Sequence, residues 1–491
     1  MSRGPIFVPG KGMGEAPETD PATGQQKTTQ SGSPLATGGK SDLGEFTGTG
    51  GGGEGDKTPA DAQSTPEIYE PKNVTIDFLE INHKDGTLNL ETSFHSLVVT
   101  ESVFQASLSC RLILLDADEK LANLDLDGSE ELKVGWHSEK NREIKNSFRI
   151  YRSVIEPDDT SGSKGKAYEL FGMSEEWINQ STMDINQSFN GSLSQAARVV
   201  WNKLKQKNAT KKNFTCHETT GSTTTIVPGL TPFETMQMFE RRSYHGKYNS
   251  SIFRFYEDMR GYNFVNIEQL IAEQRNRAIP YKYNPGMAID DQKNVEGQFT
   301  IEQIAFPKSK NIVDKIKSGA YASQVKEIDI INQKVDTQRL TVKENFNDFY
   351  HLDKPAITLD KTTIIDEALN TVNNTKWMNK YVDGKRHKDN NFAAAIVRRK
   401  FYGDSLGQVK MNCVVPGNSD LGVGMCLDLS MIEISANKET ADQEKKISGK
   451  YFISEVNHQI KSQKYSCTLS CSKESYRANV EDTSKYIIGR R

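Results

Sequence analysis

The chain has 491 residues, with 62 lysines and arginines against 65 aspartates and glutamates, for a formal net charge of −3. A length of this order predicts about three domains, and the near-balance of charge argues against a protein built to neutralise nucleic-acid phosphates or an anionic membrane. The absence of a signal-like N-terminus, of an apolar run near the roughly 20 residues of a membrane span and of any CxxC pair predicts reduced cysteines and synthesis in a cytoplasm.

Residues 1–65 predict a flexible N-terminal arm. This stretch holds fifteen of the 37 glycines, together with many Ser, Thr and Pro residues. Such a composition buries too little apolar surface to offset its chain entropy. The short apolar patch of Ile6, Phe7 and Val8 is a candidate anchor for the arm, and the alternative is a passive tail.

Residues 66–175 predict a first barrel-like domain. Val74, Ile76 and Phe78 alternate with polar residues, and the same two-residue period continues from residue 106 to residue 114. This period is typical of strands with one buried face.

Residues 176–335 predict an inserted region of mixed α/β structure. Ser192 and Thr231 each precede a helical apolar pattern, with Gln195 or Glu234 three residues later, which is the pattern of a capping box. Pro232 suits the first helical position. Strands over 252–256 and 262–265 and a short helix over 267–272 complete the region.

Residues 336–476 predict a second barrel-like domain, followed by a peripheral C-terminal tail over 477–491. Within this domain we expect an inserted helix over 362–381, and strands over 392–402 and 408–415. The predicted fold class is therefore α+β and predominantly β, with two related barrel-like domains, inserted mixed α/β structure and the flexible arm.

One strand pattern occurs twice. The first copy has apolar segments at 132–136, 148–155 and 167–174, and the second has them at 421–425, 450–457 and 465–472. Two copies of one unit per chain would let three subunits form a ring of six near-equivalent modules, since oligomers close with point symmetry. Two unrelated meanders that resemble each other by chance are the alternative.

Sequence motifs for catalysis and cofactors do not withstand inspection. The glycine-rich match at 48–53 has no strand before it and no helix after it. The segment Gly39–Lys40–Ser41 has Pro34 where a phosphate loop needs glycine, and a calcium-like loop from Asn123 ends at Val134 instead of glutamate. The histidines are not at ligand spacing. We therefore predict no catalytic residue, no metal, no cofactor and no enzyme activity.

The most specific residues lie at 226–271 and 414–475. In order along the chain, they resemble the central baseplate hub protein of T-even-type contractile-tailed phages, over roughly residues 70–480. The positions that carry this resemblance are Pro228, Gly229, Leu230, Thr231, Pro232, Phe233, Tyr256, Gly261, Tyr262, Phe264, Pro416, Gly417, Gly424 and Gly449.

The resemblance implies a structural role. Hubs of this family are homotrimeric rings with two barrel-like tube domains per subunit, and they match a six-fold tail tube to a trimeric spike. The implied partners are a separate spike protein trimer, tail tube or tube-initiator proteins, the tape-measure protein and baseplate wedge proteins, with DNA passing through the channel without specific binding. The implied location is the tail baseplate of the virion, after assembly in the host cytoplasm. The N-terminal arm departs from the family pattern.

Two alternatives stay open at this point. One is the hub of a phage-derived injection machine or a type VI-like secretion machine; these hubs often carry a fused repetitive spike, which we do not expect from the residues after Tyr476. The other is a barrel that binds nucleic acid or glycan. The acidic balance and the absence of a basic stripe argue against it.

Overall fold

The computed structural model describes residues 72–477, except for residues 85, 117–120, 122–125, 127, 129, 140, 158–165, 284–294, 309–312, 314–316, 318, 320, 330–332, 354–369, 377–380, 383–384, 387–391 and 432–446. The chain divides into residues 1–67 and residues 68–491, and only the second unit contains described residues. The predicted arm, with Ile6, Phe7 and Val8, and the predicted tail after residue 477 therefore lie outside the described residues.

The first repeat copy lies in a run of antiparallel strands. Alternating buried and exposed positions form these strands, as expected for a sheet with one face on the core. The strands are β1 (Thr75–His83), β2 (Gly86–Asn89), β3 (Phe94–Ser102), β4 (Ser109–Asp116), β5 (Glu131–His137), β6 (Ile144–Pro157) and β7 (Lys166–Ser174). A single 3-10 turn, Glu91–Ser93, precedes β3.

The inserted region folds around its own helices and strands. Its elements are α1 (Glu175–Ser181), β8 (Ile185–Gly191), α2 (Leu193–Gln206), β9 (Phe214–Cys216), β10 (Thr223–Leu230), α3 (Pro232–Arg242), β11 (Phe253–Asp258), β12 (Gly261–Asn266) and α4 (Ile267–Gln274). The helix starts predicted at Ser192 and Thr231 are confirmed. Thr231 and Glu234 form a reciprocal capping box, and the Ser192 hydroxyl accepts a hydrogen bond from the Gln195 N–H.

The rest of the chain returns to β structure. Its elements are β13 (Ile279–Tyr283), β14 (Gln303–Lys308), β15 (Ala322–Asp329), β16 (Lys334–Thr341), α5 (Val342–Asn345), β17 (Asn370–Lys376), β18 (Tyr381–Val382), β19 (Lys385–Arg386), α6 (Phe392–Leu406), β20 (Val409–Pro416), β21 (Cys426–Met431), β22 (Gly449–Lys461) and β23 (Lys464–Lys473). Short 3-10 segments lie at Arg275–Arg277, Val295–Phe299 and Phe346–Asp348.

Two local predictions are wrong. Residues 370–376 of the predicted 362–381 helix form strand β17, because β17 pairs in parallel with β15. The strand predicted over 392–402 is instead helix α6, in which three consecutive alanines (393–395) favour the helix. In both places the local pattern favoured the wrong element, because short apolar patterns do not separate helix from strand without the neighbouring elements.

The sheet corrects the predicted architecture. One 13-stranded sheet runs in the order β14-β20-β23-β22-β3-β4-β7-β6-β5-β1-β2, with β21 beside β22 and β13 beside β21. The strands of the two copies are thus joined in one predominantly antiparallel sheet, and the described pairings close neither copy into a barrel. The reason is the pairing of β22 with β3, which gives the second copy a partner in the first.

The described residues form two hydrophobic cores. The larger core lies under the 13-stranded sheet and draws on both copies, with Trp136, Phe148, Tyr451 and Tyr465 among its largest side chains. The smaller core belongs to the inserted region and centres on Trp201. Across the described residues, no helix is long and apolar enough to cross a membrane.

Candidate functional site

The two repeat copies have the same strand order. In the first copy β4, β7, β6 and β5 are neighbours in that order, and in the second copy β20, β23, β22 and β21 are. β3 lies beside β4 as β14 lies beside β20. The long middle strands even share an irregularity, between Ile150 and Arg152 in β6 and between Ile453 and Glu455 in β22. The two copies therefore share one strand topology.

The alignment of the copies differs from the one that the sequence pattern indicated. Leu132 pairs with Phe148, and its counterpart Leu427 pairs with Tyr451. The apolar segment 421–425 that the pattern aligned with Leu132 is a turn outside the strands. Gly424 has a φ of +86°, which interrupts extended backbone there, and the strand begins at Cys426.

The copies meet in a seam, defined by the antiparallel pairing of residues 96–102 of β3 with residues 455–461 of β22. The Thr100 hydroxyl donates to the Asn457 side-chain oxygen at 2.6 Å. Just beyond the paired residues, the Val103 N–H donates to the Ser454 carbonyl at 3.0 Å. The seam thus joins the second half of one long strand to an edge strand of the other copy.

A buried polar cluster lies at the centre of the seam. His458 Nε2 lies 3.0 Å from a Glu101 carboxylate oxygen, and His458 Nδ1 lies 2.7 Å from the Tyr465 hydroxyl. All three side chains are buried. Trp136 of the first copy packs edge-on against Tyr465 of the second, with ring centroids 6.3 Å apart.

The cluster favours a charged histidine. Burial by itself lowers the pKa of His458, whereas Cys467 and Glu101 raise it, and the balance raises it to about 10. A protonated imidazole donates from both ring nitrogens, so it can satisfy Glu101 and Tyr465 together. In this protonated state His458 and Glu101 form an ion pair between one strand of each copy.

Cys467, His458 and Glu101 are arranged like the nucleophile, base and carboxylate of a catalytic triad. Cys467 Sγ lies 3.5 Å from His458 Nδ1, and Glu101 lies on the other side of the ring. A catalytic nucleophile must reach a substrate, yet Cys467 is 0% exposed. Within the described ranges, no three His, Cys, Asp or Glu side chains are placed to hold a metal ion. The cluster is a structural contact of the seam.

The counterpart of the seam in the first copy is an open edge. Residues 152–157 of β6 correspond to residues 455–460 of β22, and they pair with β7 on one side. In the described pairings no strand covers their other side, and β14 likewise ends the sheet. We call residues 152–157 the open edge of β6.

Large apolar side chains are exposed at this edge and near it. Ile155 is 57% exposed at the edge itself, and Leu115 is 45% exposed on β4, which lies on the far side of β7. Their counterparts in the second copy are His458 and Pro416, and both are buried. The same positions are thus covered in one copy and uncovered in the other.

The residues of the sequence signature do not form one site. Phe233, Tyr262 and Phe264 pack in the smaller core with Trp201. Pro228, Gly229 and Leu230 end β10, where the register shifts and Gly229 has a φ of +69°. Thr231 and Pro232 begin α3. Gly261 begins β12.

The structure brings some signature residues together across the chain. A Cβ on Gly424 would lie 2.9 Å from the Tyr256 hydroxyl, and one on Gly417 would lie 2.1 Å from the Tyr465 ring. Pro416 ends β20, and Gly449 begins β22. Gly424 therefore lets the second copy approach the inserted region, and Gly417 lets a turn pass over the buried ring next to the seam.

Sequence reasoning missed the seam residues. A signal for them was present, because Glu101 and His458 stand in strands that are otherwise buried and apolar, beside Val99 and Val456. Charged residues are rarely buried without a partner. Two such residues in separate strands could have been proposed as a pair, although nothing local identifies the partner.

Comparison with known proteins gives the class of fold. No family model matches the chain, and no curated protein matches it. Among solved structures, the 43 kDa tail protein of prophage MuSo2 from Shewanella oneidensis aligns with a TM-score of 0.50 at 8% identity, over 81% of this chain and 99% of that one. The chain therefore shares the fold of this prophage tail protein.

Weaker alignments were found with two further structures. The tail protein from Neisseria meningitidis aligns with a TM-score of 0.47 at 10% identity, over 81% of this chain and 96% of that one. A lidded PdpA-VgrG complex from Francisella aligns with a TM-score of 0.42 at 10% identity, over 85% of this chain and 56% of that one.

Proposed function

We propose that this chain is the structural baseplate hub of a contractile phage tail. Three subunits would form a ring of six repeat copies, which matches a six-fold tail tube on one side and a separate trimeric spike on the other. The tape-measure protein would occupy the channel, wedge proteins would bind outside, and DNA would pass without specific binding. The fold shared with a prophage tail protein supports a place in a phage tail.

The observation that carries the proposal is the seam. Inside one chain, the second copy joins the first through β22 and β3. A ring of alternating copies needs a second kind of seam, from the first copy to the second copy of the next subunit. The strands that correspond to β22 and β3 are β6 and β14. Among the described pairings, the open edge of β6 and the outer side of β14 have no partner strand.

The intramolecular seam predicts the register of the intermolecular one. Gln459 pairs with Val98, and the pairings within each copy make Glu156 the counterpart of Gln459 and Ala305 the counterpart of Val98. Glu156 of one subunit would therefore lie opposite Ala305 of the next. This pairing would also cover Ile155, and it would remove two strand edges that otherwise invite aggregation.

We also propose that the role is structural and without catalysis. The cysteine, histidine and glutamate that have a catalytic order are buried in the seam, where their hydrogen bonds hold two strands together.

A disulfide across the predicted seam tests the proposal. A disulfide needs Cα atoms roughly 4.4–6.8 Å apart, which directly opposed strand residues satisfy. We expect Glu156→Cys/Ala305→Cys to form covalent trimers upon oxidation, seen on a non-reducing gel, with native mass spectrometry giving three chains for the unmodified protein.

The matched control is Ser153→Cys/Ala305→Cys. It moves one cysteine three positions along β6, about 10 Å out of register, so it should not cross-link. A single-chain mass, or equal cross-linking of both pairs, would contradict the proposed ring.

A further inference from the structure

A cationic cleft lies where helix α6 meets the inserted region. It encloses about 820 Å³ between the C-terminal end of α3, strand β11 and α6. Five basic and two acidic side chains line it, together with Gly403: Arg241, Arg254, Lys317, Arg399, Lys400, Glu240 and Asp404. The positive charge is concentrated here although the chain as a whole is slightly acidic.

The two carboxylates offset only part of this charge, since five basic side chains line the cleft. Glu240 is already engaged, since one oxygen pairs with Arg254 at 2.6 Å and the other accepts from the Phe255 N–H at 3.3 Å. Burial raises the pKa of Asp404 to about 6, although Lys400 lowers it. The cleft therefore keeps an excess of positive charge near neutral pH.

Arg399 adds a partly buried cation to this excess of positive charge, which is electrostatically unfavourable. Its guanidinium donates to the Arg241 carbonyl, at the last turn of α3. Burial lowers the pKa of Arg399, and Arg254 and Arg241 lower it further, with Glu240 opposing them. Cations held together in a half-buried cleft repel one another unless an anion joins them. Helix α6 has another anchor, since Arg398 donates to the Asn249 carbonyl at 3.2 Å, so the cluster is not needed to attach the helix.

The lining indicates which kind of anion fits. Guanidinium groups bind carboxylates through two parallel hydrogen bonds, and three arginines face this cleft. Binding of single-stranded nucleic acid uses several aromatic side chains on which successive bases stack. No lining residue is aromatic, and beside the cleft the Phe104 ring lies 5.7 Å from the Arg254 guanidinium.

We propose that this cleft binds an acidic peptide segment of a separate protein. Carboxylates of the segment would pair with Arg241, Arg399 and Lys400, while Arg254 stays with Glu240. The site is distinct from the seam, and the inference does not depend on the ring.

Titration of the full-length protein with a fluorescein-labelled ten-residue peptide of aspartate and glutamate tests this. We expect saturable binding that weakens with salt, and about tenfold weaker binding to Arg241→Gln/Lys400→Gln, because two charge-assisted contacts are lost. The matched control Arg242→Gln/Lys205→Gln removes two exposed cations outside the lining and should bind as the parent does.

The outcomes separate the alternatives. Absence of binding, or equal weakening in both double variants, overturns the proposal, the second because it shows only bulk charge. Tighter binding of a single-stranded oligonucleotide than of the peptide, lost in Arg241→Gln/Lys400→Gln, also overturns it in favour of nucleic acid. Arg399→Gln provides a second cleft variant, and unchanged thermal unfolding confirms that a weakened variant is folded.

Discussion

At the scale of single residues, a few buried groups decide how the two copies meet. His458 and Glu101 lie 357 positions apart in the sequence, and their side chains contact each other at 3.0 Å inside the main core, as an ion pair when His458 is protonated. Removing one member of a buried pair leaves the other charge uncompensated, which costs about 3–5 kcal/mol. The exposed pair of His137 and Asp77 is of the kind that contributes about 0–1 kcal/mol. The two histidines therefore form a natural comparison.

The pH dependence of stability should report on His458. Its pKa rises to about 10 in the folded chain, above the ordinary value of about 6.5. The folded state then holds this proton more tightly, so the stabilisation is complete below about pH 6.5 and is lost as the pH rises through about 10. We expect the urea midpoint to fall between about pH 7 and pH 10 less steeply in His458→Gln than in the unmodified protein. His137→Gln should keep the original slope, and equal slopes in all three proteins would show that His458 is not charged.

Gly417 offers a second test at this scale. A methyl group there would lie 2.1 Å from the Tyr465 ring, whereas one on Gly407 would find its nearest neighbour at 3.7 Å. We expect Gly417→Ala to lower the free energy of unfolding by about 1–3 kcal/mol, as overpacking does, with Gly407→Ala near neutral. Denaturant unfolding measures both, and similar stability of the two variants would contradict the close approach.

At the scale of elements, the two long strands β6 and β22 are equivalent but differently covered. The second half of β22 pairs on both sides, with β23 and with β3. The second half of β6 pairs with β7 and leaves Ile155 exposed. An exposed apolar edge on a repeated element is the kind of surface that another copy covers.

Ile155→Lys should therefore prevent assembly without unfolding the subunit. A surface substitution usually changes stability by about 0.5 kcal/mol or less, while a lysine inside a strand-to-strand seam would be buried without a partner. We expect native mass spectrometry to give single chains for Ile155→Lys. Val335→Lys changes a similarly exposed residue, at 60% exposure, on β16 away from β6, and it should remain trimeric. Trimers in both variants would remove β6 from the interface.

At the scale of the whole molecule, the long sheet and the predicted N-terminal arm differ in what could hold them in place. The sheet is held by pairings between distant segments, whereas the composition of residues 1–65 provides almost no large apolar side chains. From this composition we expect the arm to become ordered only where a partner supplies an apolar surface. In the proposed baseplate this partner would be the assembled ring or a neighbouring protein.

Limited proteolysis tests whether the arm needs a partner in order to be protected. We expect a protease to remove residues 1–65 from the isolated protein and to leave a stable core, as judged by mass spectrometry of the product. The same segment should become resistant in the assembled baseplate. An arm that resists cleavage in the isolated subunit would contradict this view.

The amino-acid sequence by itself determined the local elements of this protein. Thr231 and Glu234 begin a helix through contacts three residues apart, and the alternation through β4 identifies a half-buried strand. Both signals are local, so no other segment is needed to interpret them. The duplication was also visible, because both copies retain apolar strands of similar length.

Only the tertiary structure decided how these elements pair. The two-residue period of a strand identifies its buried face but not its neighbour, so β22 could not be matched to β3, nor Leu132 to Leu427, from the pattern alone. The same limit explains why residues 370–376 form a strand, since β15 supplies their hydrogen bonds. These strand partners are chosen by contacts with segments that are not adjacent in the sequence. For that reason the repeat was predictable, and the seam that makes it a candidate ring module was not.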